Sequence, residues 1–243
     1  MIKKTTLLAL ASTLGLFATI ARSEGWNGYM NVFFNNGGAA GGYIFGSGWG
    51  VSDLKTTVAV SNTGTYIGDR LVLEPNFNTY TDSLAGTDGD RAFWTNSTDG
   101  GVTAGAAGNK FMEANTFVET ASISTASTSF SGTIDSYTLN GSYTAIAFIK
   151  VLNPGNGYSL DVFQTANLVS GASFNLSADL SAHQGKLLQQ GFMVSGLNAN
   201  PNASLGSVTV TTTAAPIPEP STYSAFFGLA AAGVALGLRR RRS

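Results

Sequence analysis

Between residues 29 and 211 this chain of 243 residues keeps almost no helical period. Its apolar residues come in short alternating runs closed by Gly, Asn, Ser, Thr or Asp, a pattern that confines the chain to sheets. The clearest run spans residues 143–152. Ala145, Ala147, Ile149 and Val151 face one side and Thr144, Ile146, Phe148 and Lys150 the other. Both sides are mostly apolar, so the run reads as an interior strand. Further strands are expected at residues 29–34, 56–61, 70–74, 91–95, 115–120, 127–134, 158–163, 190–195 and 206–211. Turn clusters such as Asn35-Asn36-Gly37-Gly38 and Asn153-Pro154-Gly155-Asn156-Gly157 separate them. About ten short strands at this spacing predict one all-β domain over residues 24–212, a two-sheet β-sandwich.

Both ends depart from this pattern. Met1-Ile2-Lys3-Lys4 followed by an apolar stretch over residues 7–21 has the layout of a secretory signal peptide. Ala21 and Ser23 place a cut after residue 23, with a cut after Ala21 as the alternative. At the other end Pro216-Ile217-Pro218-Glu219-Pro220-Ser221 leads into residues 223–238, which carry no formal charge, and then Arg239-Arg240-Arg241-Arg242. With Ser221 and Thr222 added, such a helix just spans a hydrocarbon core of about 30 Å. The four arginines stay cytoplasmic. Residues 213–220 are then a linker and residues 221–243 a transmembrane helix with a basic tail.

With the tails set aside, residues 24–218 hold 13 acidic and six basic side chains, a formal charge of −7. Such a body is unsuited to nucleic acid, whose binding depends on phosphate neutralisation by Lys and Arg. The chain has no cysteine, which excludes disulfides, zinc–thiolate sites and thiol catalysis.

The Pro-Glu-Pro approach, short span and basic stop resemble the PEP-CTERM sorting signal of Gram-negative bacteria. That resemblance, over residues 216–243, implies a partner enzyme of the exosortase type that recognises Pro218, Glu219 and Pro220 and removes the tail. It implies a transient stay in the inner membrane, with Arg239, Arg240, Arg241 and Arg242 as the stop, and then delivery to the cell surface or extracellular matrix. The stretch LLQQGFMVSGLNANPNASLGSVTV (residues 187–210) looks like the closing two strands of jelly-roll carbohydrate-binding modules of the galactose-binding-like type. GNKFMEANTFVET (108–120) and SGTI (131–134) sit where such modules place middle strands. The implied fold is a jelly roll. The matching segments are core strands and carry no ligand-binding residue across.

Residues able to do chemistry are sparse. His183 is the single histidine, in a turn-like Ser181-Ala182-His183-Gln184-Gly185 with no G-x-S-x-G nearby, and reads as a surface side chain. Glu113 and Glu119 share parity, but on one strand they stand about 20 Å apart, beyond the 5–9.5 Å of a glycosidase pair. Ala114-Asn115 also interrupts the apolar pattern between them. The expectation is therefore not an enzyme. Asp82, Asp88, Asp90 and Asp99 gather in Gly-rich loops, and Asp88 and Asp90 are the preferred ligands if a structural calcium is held there, although the spacing does not fit an EF-hand. Sugars stack on flat aromatic side chains. Of Trp26, Trp49 and Trp94, the Gly-flanked Trp49 and the strand-borne Trp94 are the candidates for glycan binding. The chain thus reads as an exported surface or matrix protein whose non-catalytic sandwich associates with exopolysaccharide. The alternative is a specific carbohydrate-binding module with a defined sugar ligand. A glycan-degrading hydrolase is the remaining option and lacks an acid/base pair.

Overall fold

A computed structural model describes residues 25–61, 68–75, 78–200 and 203–213. The expected signal peptide, the expected linker beyond Thr213 and the expected transmembrane helix lie outside these residues.

Among the described residues eleven strands carry the fold: β1 (Asn27–Asn36), β2 (Ala39–Trp49), β3 (Thr56–Ser61), β4 (Gly68–Leu73), β5 (Lys110–Thr120), β6 (Ser127–Tyr137), β7 (Thr144–Asn153), β8 (Ser159–Asn167), β9 (Ser173–Asp179), β10 (Leu187–Leu197) and β11 (Val208–Thr212). Two short helices, α1 (Asn78–Ala85) and α2 (Asp88–Trp94), stand between β4 and β5. The strands form a six-stranded sheet, β2-β1-β5-β10-β7-β8, and a five-stranded sheet, β3-β4-β11-β6-β9. All pairings are antiparallel. From β4 onward successive strands cross from one sheet to the other, except for the β7–β8 hairpin. The last two strands each insert in the middle of a sheet, β10 between β5 and β7 and β11 between β4 and β6.

The all-β expectation holds, and β7 is interior, between β10 and β8. Ala145, Ala147, Ile149 and Val151 of β7 point into the main core, where they meet Leu71, Leu73, Ile134, Phe174, Leu176, Val208 and Val210 from the facing sheet. The six-stranded sheet overhangs its partner at the β2–β1–β5 end. There a second cluster, Met30, Val32, Leu54, Met112 and Ala114, is packed by Ile44, Phe45, Trp49 and Trp94.

The structure departs from the sequence expectations at several points. Residues 91–95 are not a strand: Thr87 caps α2, its hydroxyl accepting from the Asp90 N–H while the Asp90 carboxylate accepts from the Thr87 N–H, and this capping box starts a helix. The Gly-flanked Trp49 ends β2, opposite Gly28. The strand expected from residue 115 begins at Lys110, because Asn115 continues it by satisfying its own amide rather than by being apolar. Strands β2 and β9 and helix α1 were not expected at all.

The described chain begins and ends at one pole. The Trp26 indole donates to Asp69 Oδ2 at 2.7 Å, and the Asp69 N–H donates to Thr212 Oγ1 at 3.0 Å. Thr212 and Trp26 therefore lie near each other, while β1 carries Phe33 six residues toward the opposite pole, about 20 Å away.

Candidate functional site

Register determines which side chains share the outer face of the six-stranded sheet, since alternate residues of a strand point the same way. Gly46 (β2) lies opposite Asn31 (β1), Asn31 opposite Glu113 (β5), Glu113 opposite Ser195 (β10), and Ser195 opposite Thr144 (β7). These five small or polar residues make one row across five strands, about 19 Å at the usual strand spacing. Asn31 Nδ2 donates to Glu113 Oε2 at 3.1 Å, and the Thr144 and Ser195 hydroxyls are 2.8 Å apart.

Larger residues flank the row on both sides. Toward the far pole stand Tyr43, Phe33 and Phe111, with Phe33 meeting Tyr43 at 5.6 Å and Phe111 at 6.4 Å between ring centroids, each at 70°. Toward the chain ends stand Tyr29, Asn115, Met193 and Ile146. The result is a transverse trough with a polar floor and largely apolar walls, closed at its β2 end by the Tyr29 and Tyr43 hydroxyls over Gly46. Tyr29 and Tyr43 remain 37% and 60% exposed, more than a packing role requires. Gly46 makes this arrangement fit: a Cβ there would lie 2.5 Å from Tyr29 Oη, 2.8 Å from Tyr43 Oη and 2.9 Å from Asn31 Oδ1. Partial burial, and then the neighbouring Tyr43, push the Tyr29 phenol above its ordinary pKa.

Beyond the second wall sits Lys150. Its Nζ donates to Asn115 Oδ1 at 2.7 Å and lies 4.2 Å from the Phe148 ring centroid and 5.2 Å from that of Phe163. Asn115 in turn donates to the Glu113 carbonyl at 3.0 Å and the Tyr29 carbonyl at 3.3 Å. Burial of the ammonium brings Lys150 down to about 8, opposed by attraction to Glu113. The folded protein thus releases this proton at a lower pH than the unfolded chain. Between about pH 8 and 10 the unfolded state binds more protons, so stability should rise with pH, at most about 1.4 kcal/mol per unit. Lys110, also lowered by burial, adds a slope of the same sign. Urea titrations at pH 7, 8, 9 and 10 should show the rise, and Lys150→Met should remove most of it. An unchanged slope in that variant would assign the effect elsewhere.

Residues 216–242 match the family described as the PEP-CTERM protein-sorting motif. The tail is a PEP-CTERM sorting signal. It begins three residues beyond Thr213 and contains Pro218, Glu219, Pro220 and Arg239 to Arg242. Such a motif is recognised for exosortase processing and marks an exported protein. No curated protein matches the chain, and neither does any solved structure. Thr213, the last described residue before the PEP-CTERM signal, lies at the end of the sandwich remote from the Tyr43–Phe33–Phe111 wall.

The residues singled out from sequence lie elsewhere. Trp49 and Trp94 are half-buried against the second cluster, on the inner side of the sheet. Phe93 and Trp94, consecutive on a helix, meet edge-on at 4.7 Å instead of facing opposite ways. Asp90 is exposed and held below the usual carboxylate range by the Thr87 N–H and hydroxyl. Asp88 pairs with Arg91, whose guanidinium also donates to the carbonyls of Gly86 and Gly101. Asp99 is brought down to about 2 by the Thr103 N–H and the Ser97 hydroxyl. Among the described residues no three His, Cys, Asp or Glu side chains converge as a metal site. His183 sits in a 3₁₀ turn, 3.8 Å from Asp161, which Lys186 also contacts. Glu113 and Glu119 lie on one continuous strand and on the same face. Of these residues, only Glu113 joins the trough. The signal that could have found the trough was parity: Tyr29, Asn31 and Phe33 alternate on β1, as Phe111, Glu113 and Asn115 do on β5.

Proposed function

We propose that this is a protein of the cell surface or extracellular matrix, delivered by its PEP-CTERM tail, whose non-catalytic sandwich associates with exopolysaccharide through the trough. The trough carries the reading: hydrogen-bonding groups in a row beside exposed aromatic rings suit a sugar, which offers hydroxyls at its rim and C–H faces above and below. Strand connectivity supports a jelly roll, since β4-β11-β6-β9 and β5-β10-β7-β8 follow the two-Greek-key order for eight successive strands. The spacing of Glu113 and Glu119 supports a non-catalytic face. The fixed Asn31–Glu113 pair favours, as a second reading, a module with one defined sugar ligand.

Retention of the detergent-solubilised full chain on immobilised extracellular polysaccharides tests this. Phe33→Ala should weaken retention about tenfold, the scale of one well-placed aromatic contact. Gly46→Ala should weaken it too, because the tyrosine hydroxyls must move. The fold should change by less than about 1 kcal/mol, as the displaced atoms end flexible side chains and Ala costs less chain entropy than Gly. Full retention by both variants would exclude the trough. A free oligosaccharide that competes at low concentration would favour the single-ligand reading.

A further inference from the structure

Resting on that reading of the trough, we propose that its ligand is an amine-bearing polysaccharide, of the kind built from N-deacetylated hexosamines. An ammonium group is best held by a carboxylate together with aromatic faces, the first supplying charge-assisted hydrogen bonds and the second quadrupole attraction. The trough places both together. Glu113 lies in the middle of the floor, next to Phe111 along its strand and across from Asn31, with Phe33, Tyr29 and Tyr43 on the neighbouring rows. A carboxylate offers roughly four acceptor positions, and the Asn31 amide uses one of them here. Glu113 makes no salt bridge among the described residues. The cation that attracts it, Lys150, is bound to the Asn115 amide on the next row.

The same face sets one ammonium, Lys150, against an amide oxygen and the rings of Phe148 and Phe163, where burial disfavours its charge. Glu113 with the Phe33 wall offers a carboxylate in place of that amide to a group arriving from outside. The body's formal charge of −7 acts in the same direction, attracting a polycation and opposing uronic or sulfated chains. That general attraction is not specific, so the test must separate it from the site.

The probes are fully deacetylated polyglucosamine, its N-acetylated counterpart, a neutral glucan and a polyuronic acid, with the full chain in detergent at pH 6. Polyglucosamine should be retained at least about tenfold more strongly than the acetylated polymer, the worth of one charged hydrogen bond. Glu113→Gln should erase most of that preference. Glu119→Gln removes an equal charge from the same face outside the trough and should leave the preference intact. Equal effects of the two variants would reduce the preference to net charge and overturn the inference. Stronger retention on polyuronic acid, or on acetylated polymer, would overturn it as well. Either result leaves a glycan site standing, whereas no retention on any of the four polymers would remove the reading on which it rests.

Discussion

Protein recovered from the cell surface should end at or before Pro220 and lack Arg239 to Arg242 altogether. The PEP-CTERM match places the sorting signal at residues 216–242, and the body before it is exported. Four consecutive arginines resist transfer across a bilayer, at about 2.5–3.5 kcal/mol each on insertion scales. We therefore expect a protein that keeps them to be retained, and surface delivery to follow removal of the tail. Intact-mass spectrometry of the surface fraction is the measurement, and the expected change is complete, with residues 221–243 missing from every molecule. Replacing Pro218, Glu219 and Pro220 together by Ala should leave the uncut chain in the inner membrane. A surface form ending at Ser243 would make the tail a permanent anchor and end the processing account.

What could be seen in the sequence divides along physical lines. Period-two runs with large apolar residues, as in β7 and β11, were readable because one face of each must be buried. Strand β9 had the same signal, Phe174, Leu176 and Ala178 alternating with Ser173, Asn175 and Ser177, and could have been read. Strand β2 could not, because Gly41, Gly42, Gly46 and Gly48 replace the side chains that would show alternation. It forms because β1 supplies the partner. The stretch around Phe93 and Trp94 looked like a strand by its aromatics, and the capping box at Thr87 and Asp90 outweighed that propensity. The trough was hidden for a different reason. Each of its rows draws on residues from β1 and β5, some eighty positions apart in the chain, and only register brings them together. Tryptophan content directed attention to Trp49 and Trp94, which the overhang of the larger sheet uses for packing. The C-terminal sorting signal was legible, since charge and proline placement carry its message without any tertiary contact.

Truncating Phe192 should cost the sandwich about 3–5 kcal/mol, a large fraction of the roughly 5–15 kcal/mol that holds a domain folded. Phe192 is 1% exposed, in the central strand β10. Its ring meets Phe130 at 5.3 Å and Phe174 at 5.7 Å, both from the opposite sheet, and stacks on Trp26 at 6.1 Å with 22° between planes. One side chain thus joins the two sheets and fastens the first described residues to them. The preceding Gly191 lets β10 come this close to β5: a Cβ there would stand 2.2 Å from the Thr116 carbonyl oxygen, backbone that cannot yield cheaply. Phe192→Ala removes a whole ring from a site enclosed on both sides, so the cavity term adds to the transfer term. Phe192→Leu keeps most of the volume and should cost no more than about half as much. Urea unfolding followed by tryptophan fluorescence reports both, because Trp26 loses its stacking partner in the alanine variant. The midpoint should fall with the slope unchanged, as expected when the native state is weakened and the surface exposed on unfolding stays the same. A loss below about 1 kcal/mol for Phe192→Ala would mean that the aromatic cluster does not join the sheets, and that the aliphatic layer of Leu71, Ile134, Ile149, Val208 and Val210 holds them together instead.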